Sequence, residues 1–212
     1  MDIGCGTGSW LASFVANGVH DVLGFDGDWV NTAQLKIPVE RFVRQDLTSP
    51  VAMDRRFDLA MCLEVAEHLP AGRAHSLVRD LTRLASCVLF SAAVPGQGGT
   101  NHVNEQFLSY WAEYFEQEGF VPIDLIRPLI WADDKVEWWY RQNLIIFADA
   151  DHPILKQDIQ LRVANNYLHP RFAEQLQQKL RLEPMTMGRL VRDFPGVLRN
   201  SVRVRVGRLL GK

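Results

Sequence analysis

Three glycines at alternate positions and four carboxylates at strand-like intervals are the residues of this chain best suited to hold a ligand. Gly4, Gly6 and Gly8 stand in the opening run MDIGCGTGSW. Closely spaced glycines let the backbone approach a ligand, because no Cβ intrudes and positive φ is open to them. The spacing is G-x-G-x-G, whereas a dinucleotide fingerprint wants G-x-G-x-x-G, and position 9 is Ser. Asp2 stands just before the turn, and Asp26, eighteen residues beyond Gly8, ends the next strand-like run. A carboxylate there can accept both ribose hydroxyls of an adenosine. Asp46, in RQDL, and Glu64, in LEVAEHL, close the two following runs. Four acids at successive strand ends repel a diphosphate and suit a cationic, phosphate-free ligand.

Two histidines are suited to acid–base chemistry. His102, in the polar loop GQGGTNHVNEQ, is the candidate catalytic residue, either as a base or as an acceptor-binding group. His68, behind Glu67, reads as a residue at the start of a helix beside the ligand site. Asn104 reads as the N-terminal cap of the helix that follows. No carboxylate cluster asks for a divalent metal, and none is expected. Trp131, Trp138, Trp139 and Tyr140 read as packing, with an acceptor wall as the alternative and Arg127 and Arg141 as anion contacts beside it. Cys5, Cys62 and Cys87 lack metal-like spacing and read as buried reduced thiols, which fits a cytoplasmic protein.

The elements that must position these residues alternate. DVLGFD (21–26), RFVRQDL (41–47), RFDLAMCLEV (56–65), SCVLFSAAVPG (86–96), FVPIDLIRP and NLIIFADA are strand candidates. A short helix is expected over 28–36, and an amphipathic one over 71–85 from the spacing of Leu77, Leu81 and Leu84. Another carries Leu108, Trp111 and Phe115 on one face and stops at Gly119. Strand–helix alternation predicts a doubly wound, mostly parallel α/β sheet, with ligands outside the carboxyl ends of the strands. After residue 151 the pattern turns helical, which divides the chain into 1–150 and a helical extension, 151–212.

At 212 residues, 47% hydrophobic and 23% charged, the chain can bury a sizeable core. A net charge of −2 argues against a nucleic-acid binder. Arg189 to Lys212 nevertheless holds seven Lys/Arg and one acid. Residues 197–212 therefore read as a solvated terminus, with peripheral contact to an anionic membrane as the alternative.

Taken together, DIGCGTG, GFDGD, RQDL and FDLAMCLEVAEHL resemble the successive cofactor motifs of class I S-adenosylmethionine-dependent methyltransferases over roughly residues 2–148. The resemblance implies a seven-stranded sheet whose last strand is antiparallel. It also implies that Asp2, Gly4 and Gly8 surround the methionine part of S-adenosylmethionine, Asp26 the ribose, and Asp46 with Leu47 the adenine, with Glu64 near the methionine end. The Asn/Asp-Pro-Pro-aromatic run expected of amino-methylating DNA enzymes and the Pro-Cys of pyrimidine carbon-5 enzymes are both missing. A small-molecule or glycan acceptor methylated at oxygen is the expectation. The alternatives are a non-catalytic cofactor-binding domain and an NAD-dependent oxidoreductase. Only Met1, Asp2 and Ile3 remain of the implied central strand, so the natural product is expected to begin upstream or to bind its cofactor weakly.

Overall fold

Strands of two to five residues build the sheet in the computed structural model, which describes residues 1–156 and 165–182. They are β1 (Asp2–Ile3), β2 (Gly24–Asp26), β3 (Phe42–Arg44), β4 (Ala60–Leu63), β5 (Cys87–Ser91), β6 (Phe120–Ile123) and β7 (Ile145–Asp149). Their order across the sheet is β3-β2-β1-β4-β5-β7-β6. The first five run parallel, and β7 inserts between β5 and β6, antiparallel to both. Each strand-like run of the sequence supplies a strand, shortened at its ends. The order reverses between β1 and β4, and a sheet of this kind binds ligands at that switch point.

Although β1 has two residues, it pairs on both sides, Asp2 with Gly24 and Met61, and Ile3 with Phe25. The flanking backbone is bonded as well. Gly4 N–H donates to Phe25 O (2.7 Å), and Met61 N–H to Met1 O (2.9 Å).

Alternation along the strands sorts side chains to two faces. On one face Ile3, Ala60, Cys62, Val88, Phe90 and Phe147 meet Leu77, Val78 and Leu81 of α2 (Ala74–Leu84) and Trp111 and Phe115 of α3 (Leu108–Gln117). On the other, Cys5, Met61, Leu63 and Leu144 meet Leu11 of α1 (Ser9–Ala16). All three cysteines are buried and free, and burial raises each thiol's pKa, Cys5 to about 12.

Two local expectations give way to packing. The stretch 28–36 forms only a 3-10 turn, Thr32–Gln34. Lys36 N–H is bonded to Thr7 O, and Ile37 is buried against Gly8, which forces the chain to bend before a helix can form. Asn104 does not cap α3. That helix starts from Phe107 without a side-chain cap, while Asn104 is buried and accepts from Gln106 Nε2.

Buried Arg73 ties α2 to the loop after β3. Its Nε donates to Leu47 O (3.0 Å), Nη1 to Ser76 Oγ (2.7 Å) and Nη2 to Ser49 O (3.1 Å) and to the buried Asp80. Asp80 also accepts from Val51 N–H (2.8 Å). Removing one partner strands the other charge, so Arg73→Ala is expected to cost about 3–5 kcal/mol in urea unfolding. A loss below about 1 kcal/mol would show the pair to be dispensable.

The helices α4 (Arg127–Ile130) and α5 (Trp138–Asn143) lie between β6 and β7 in chain order, and α6 (Pro170–Leu182) follows β7. Residues Met1–Phe172 make one compact unit, which runs past the division at residue 151 drawn from the sequence. The second unit, from Ala173, is helical where described. Residues 197–212 lie outside the described residues. Among those described, no helix is long and apolar enough to cross a membrane.

Arg127 and Arg141 are committed to the fold. Arg127 is 2% exposed and bonds both oxygens of Asp124, Gln142 O and Asn165 O. Arg141 bonds Trp131 O and Asp134. The aromatic stretch packs internally, with Trp138 stacked on Phe172 and Trp131 against His169 and Tyr167.

Candidate functional site

The glycine turn leaves β1 with positive φ at Gly4 (79°), Gly6 (53°) and Gly8 (79°). A Cβ on Gly4 would lie 2.3 Å from Val65 Cγ2. The turn is therefore pressed onto the segment that follows β4, and only glycine lets it close. Gly6 N–H donates to Asp26 Oδ2 (2.7 Å) and Gly27 N–H to Asp26 Oδ1 (2.7 Å). A carboxylate oxygen has two lone pairs, so each still has room for a hydroxyl donor.

Beside the turn opens a cavity of about 550 Å³, within the range of small-molecule sites. Gly4, Asp26, Asp46, Leu47 and Glu64, all picked out in the sequence, line it together. Asp2, Gly6 and Gly8 are not among its lining residues. Asp2 is 1% exposed, and its Oδ2 has no hydrogen-bond partner. Burial pushes its pKa up to about 7, against the pull of the nearby amino terminus. Asp46 accepts both bonds from Thr48 on Oδ1, and the Thr48 hydroxyl, more than its N–H, holds the Asp46 pKa low.

Glu64 takes φ 55°, a left-handed conformation that is strained for a residue with a Cβ. Its N–H is held by Ser91, and its carboxylate accepts from Gln97 Nε2 (3.0 Å) and Asn143 Nδ2 (3.2 Å). Burial raises its pKa, opposed by the bonds from Asn143, Ser91 and Gln97. Asn143 belongs to α5, which also brings Tyr140 within electrostatic reach of Glu64 and Asp2. Burial is the main cause of the raised Tyr140 pKa.

Sequence reasoning missed four participants. Trp29, 75% exposed, lays its ring over Gly27 at the cavity rim. An aromatic residue just after the strand-end acid was the available signal. Gln97 and Asn143 reach Glu64 only through the tertiary fold, and nothing local marks them. His68, read as a bystander, lines the cavity, whereas His102 packs against it edge-on at 4.8 Å between ring centroids. His102 Nδ1 lies 2.9 Å from Glu105 Oε1. The buried Glu67 lies beside both histidines.

Residues 1–88 match the family model described as a methyltransferase domain. No curated protein matches the chain in sequence. Among solved structures, magnesium protoporphyrin IX methyltransferase from Synechocystis PCC 6803, with bound SAM, is 18% identical with a TM-score of 0.51, covering 70% of this chain and 68% of that one. An O-methyltransferase from neocarzinostatin biosynthesis, in complex with S-adenosyl-L-homocysteine and 1,4-dihydroxy-2-naphthoic acid, is 18% identical with a TM-score of 0.50, covering 70% and 48%. A pericyclic reaction enzyme is 16% identical (TM-score 0.49, covering 69% of this chain), and the chain spans 42% of its length. The seven-stranded sheet with its antiparallel β7 has the fold of the Synechocystis methyltransferase, and the first 88 residues, which hold the glycine turn and the strand-end acids, match a methyltransferase domain.

Proposed function

We propose that the chain moves a methyl group from S-adenosylmethionine to an oxygen of a small-molecule or glycan acceptor. One observation carries the reading: Asp26, Asp46 and Glu64 converge on a single cavity beside the glycine turn, and Asp2 at the start of that turn is buried with its Oδ2 unpartnered. That arrangement suits a cation, and the Gly4 backbone, free of a Cβ, leaves room for it. The cofactor supplies a methyl group on a positively charged sulfur, and its transfer depends chiefly on alignment and desolvation.

The chain's own residues then divide the work. Asp26 accepts the ribose hydroxyls, and the loop of Asp46 and Leu47 holds the adenine. Asp2, Gly4, Gly8 and Glu64 surround the methionine part. Glu64 is fixed from two sides by Gln97 and Asn143, and this keeps its charge in place. His102, oriented by Glu105, serves the acceptor oxygen as base or binding group. The dihydroxynaphthoic acid held by the neocarzinostatin-pathway enzyme is an acceptor chemistry of the kind such a site can take.

Calorimetry with S-adenosylmethionine against NAD tests the reading first, and NAD binding in place of S-adenosylmethionine would overturn it. Turnover to S-adenosylhomocysteine with a panel of hydroxyl acceptors tests the reaction. Asp26→Ala is expected to lower cofactor affinity at least tenfold, since hydrogen bonds to a charged group contribute about 1.5–3 kcal/mol each. His102→Ala is expected to slow transfer about 10²- to 10⁴-fold with cofactor affinity unchanged. Full transfer rate in that variant would remove His102 from the reaction.

A further inference from the structure

We propose that Glu67, His68 and His102 form a binding site for one divalent transition-metal cation on the acceptor side of the cavity. The site stands on its own geometry. Its use in catalysis rests on the methyl-transfer reading.

Glu67 and His68 lie in the 3-10 turn Ala66–His68, just after β4, and His102 in the loop after β5. The loop is fixed to the turn, since the N–H groups of Val103 and Asn104 both donate to Glu67 O (2.9 and 3.0 Å). This brings one ligand atom from each of the three side chains within 4.8 Å of the others. Tetrahedral zinc, with ligands at about 2.1 Å, sets them about 3.4 Å apart, a closure that exposed His68 can supply by rotation.

The second observation is the state of Glu67. It is 0% exposed, and neither carboxylate oxygen has a hydrogen-bond partner. A buried carboxylate in that state is costly, and either a proton or a cation must answer it. Two imidazole rings beside it are ligands for a cation.

His102 is prepared for that role. Glu105 accepts N–H groups from Gly96 (2.8 Å) and Gly98 (2.6 Å) as well as facing His102. With Nδ1 facing Glu105 Oε1 at 2.9 Å, Nε2 is the ring nitrogen left to face a cation. A carboxylate behind a ligating histidine is the usual support of a metal site. A Cβ on Gly99 would fall 2.3 Å from that Nε2, so a glycine keeps this edge of the ring clear.

Two imidazoles and one carboxylate select zinc, cobalt, iron or nickel over magnesium and calcium. Three protein ligands leave a coordination position open. His68 lines the cavity, so this position adjoins the acceptor, and a hydroxyl bound there would release its proton to solvent nearer neutral pH.

The test uses the full chain, free of any histidine tag and stripped with a chelator, titrated with Co²⁺ and followed by its visible absorption. One equivalent per chain is expected, displaced by Zn²⁺ and not by equal Mg²⁺. Glu67→Gln and His102→Ala should weaken Co²⁺ binding at least tenfold, and Gly99→Ala should do so without touching a ligand. His20→Ala, on the exposed surface, should change nothing. Glu67→Gln keeps the shape of the side chain, so an unchanged or higher melting temperature without metal shows that its loss of binding is not unfolding. Absence of saturable Co²⁺ binding, or wild-type affinity in Glu67→Gln and His102→Ala, overturns the site. Calorimetry with S-adenosylmethionine on the same samples separates the two readings. Cofactor binding without Co²⁺ binding overturns only the metal site, and the reverse overturns only the proposed function.

Discussion

Asp2→Asn is expected to stabilise the ligand-free protein at pH 8 while weakening its hold on S-adenosylmethionine at least tenfold. The folded chain raises the Asp2 pKa from 3.8 to about 7, because burial penalises the charge. The folded state thus binds that proton more tightly than the unfolded chain does. The resulting stability is fully present below about pH 3.8 and is lost as pH rises through about 7. At pH 8 the buried charge costs on the order of 4 kcal/mol, at 1.36 kcal/mol per pH unit. Asparagine abolishes the charge but buries an amide where Oδ2 has no partner, a cost of about 1–3 kcal/mol. A net gain of about 1–3 kcal/mol at pH 8 remains. Without ligand, the wild-type melting temperature should fall more steeply than the variant's between pH 6 and 8. Glu64 and Glu67, also raised by burial, contribute slopes of the same sign, so the difference between the two proteins is the quantity to read. With S-adenosylmethionine added, the wild type should gain more, since the proposed function puts its carboxylate near the positively charged amino group of the methionine part. Equal pH slopes in the two proteins would refute the account of Asp2.

Gly4→Ala should be the most damaging change in the turn, losing about 2–5 kcal/mol of stability and more than tenfold in cofactor affinity. The left-handed backbone at φ 79° costs about 1–2 kcal/mol for a residue with a Cβ. The new methyl would also lie 2.3 Å from Val65 Cγ2, and overpacking of this kind costs about 1–3 kcal/mol. Val65 lines the cavity, so its displacement carries the damage into the site. Gly6→Ala is the matched comparison. Its Cβ would meet nothing within 4 Å, so it should lose only the backbone term, and its N–H can still reach Asp26. Urea unfolding of both variants checks the contrast, and equal losses would place the effect in the backbone alone.

Much of the cavity beside the glycine turn was legible because its signals are local. Glycines at 4, 6 and 8 and acids at 26, 46 and 64 each sit where a strand meets its loop. Strand ends are readable from apolar runs, and in a parallel sheet those ends gather on one edge. The surroundings of the two histidines were not. Asn104 has the composition of a cap, yet the loop takes its N–H to Glu67 O and buries its side chain. Arg127 looked like a free cation, and the fold satisfies it with Asp124 and two carbonyls. His68 and His102 stand 34 positions apart in the sequence, and no pattern in either segment says that their rings touch.

The sequence by itself determined the succession of strands with the amphipathic helices α2 and α3, the glycine turn and the row of strand-end carboxylates, because each follows from apolar periodicity and residue type within a short window. Only the tertiary structure decided that Gln97 and Asn143 grip Glu64 and that Asp2 is sealed in without a partner. It alone brought Glu67 together with His68 and His102. Those facts depend on which loops the sheet order makes neighbours, and contact across a fold leaves no trace in local spacing.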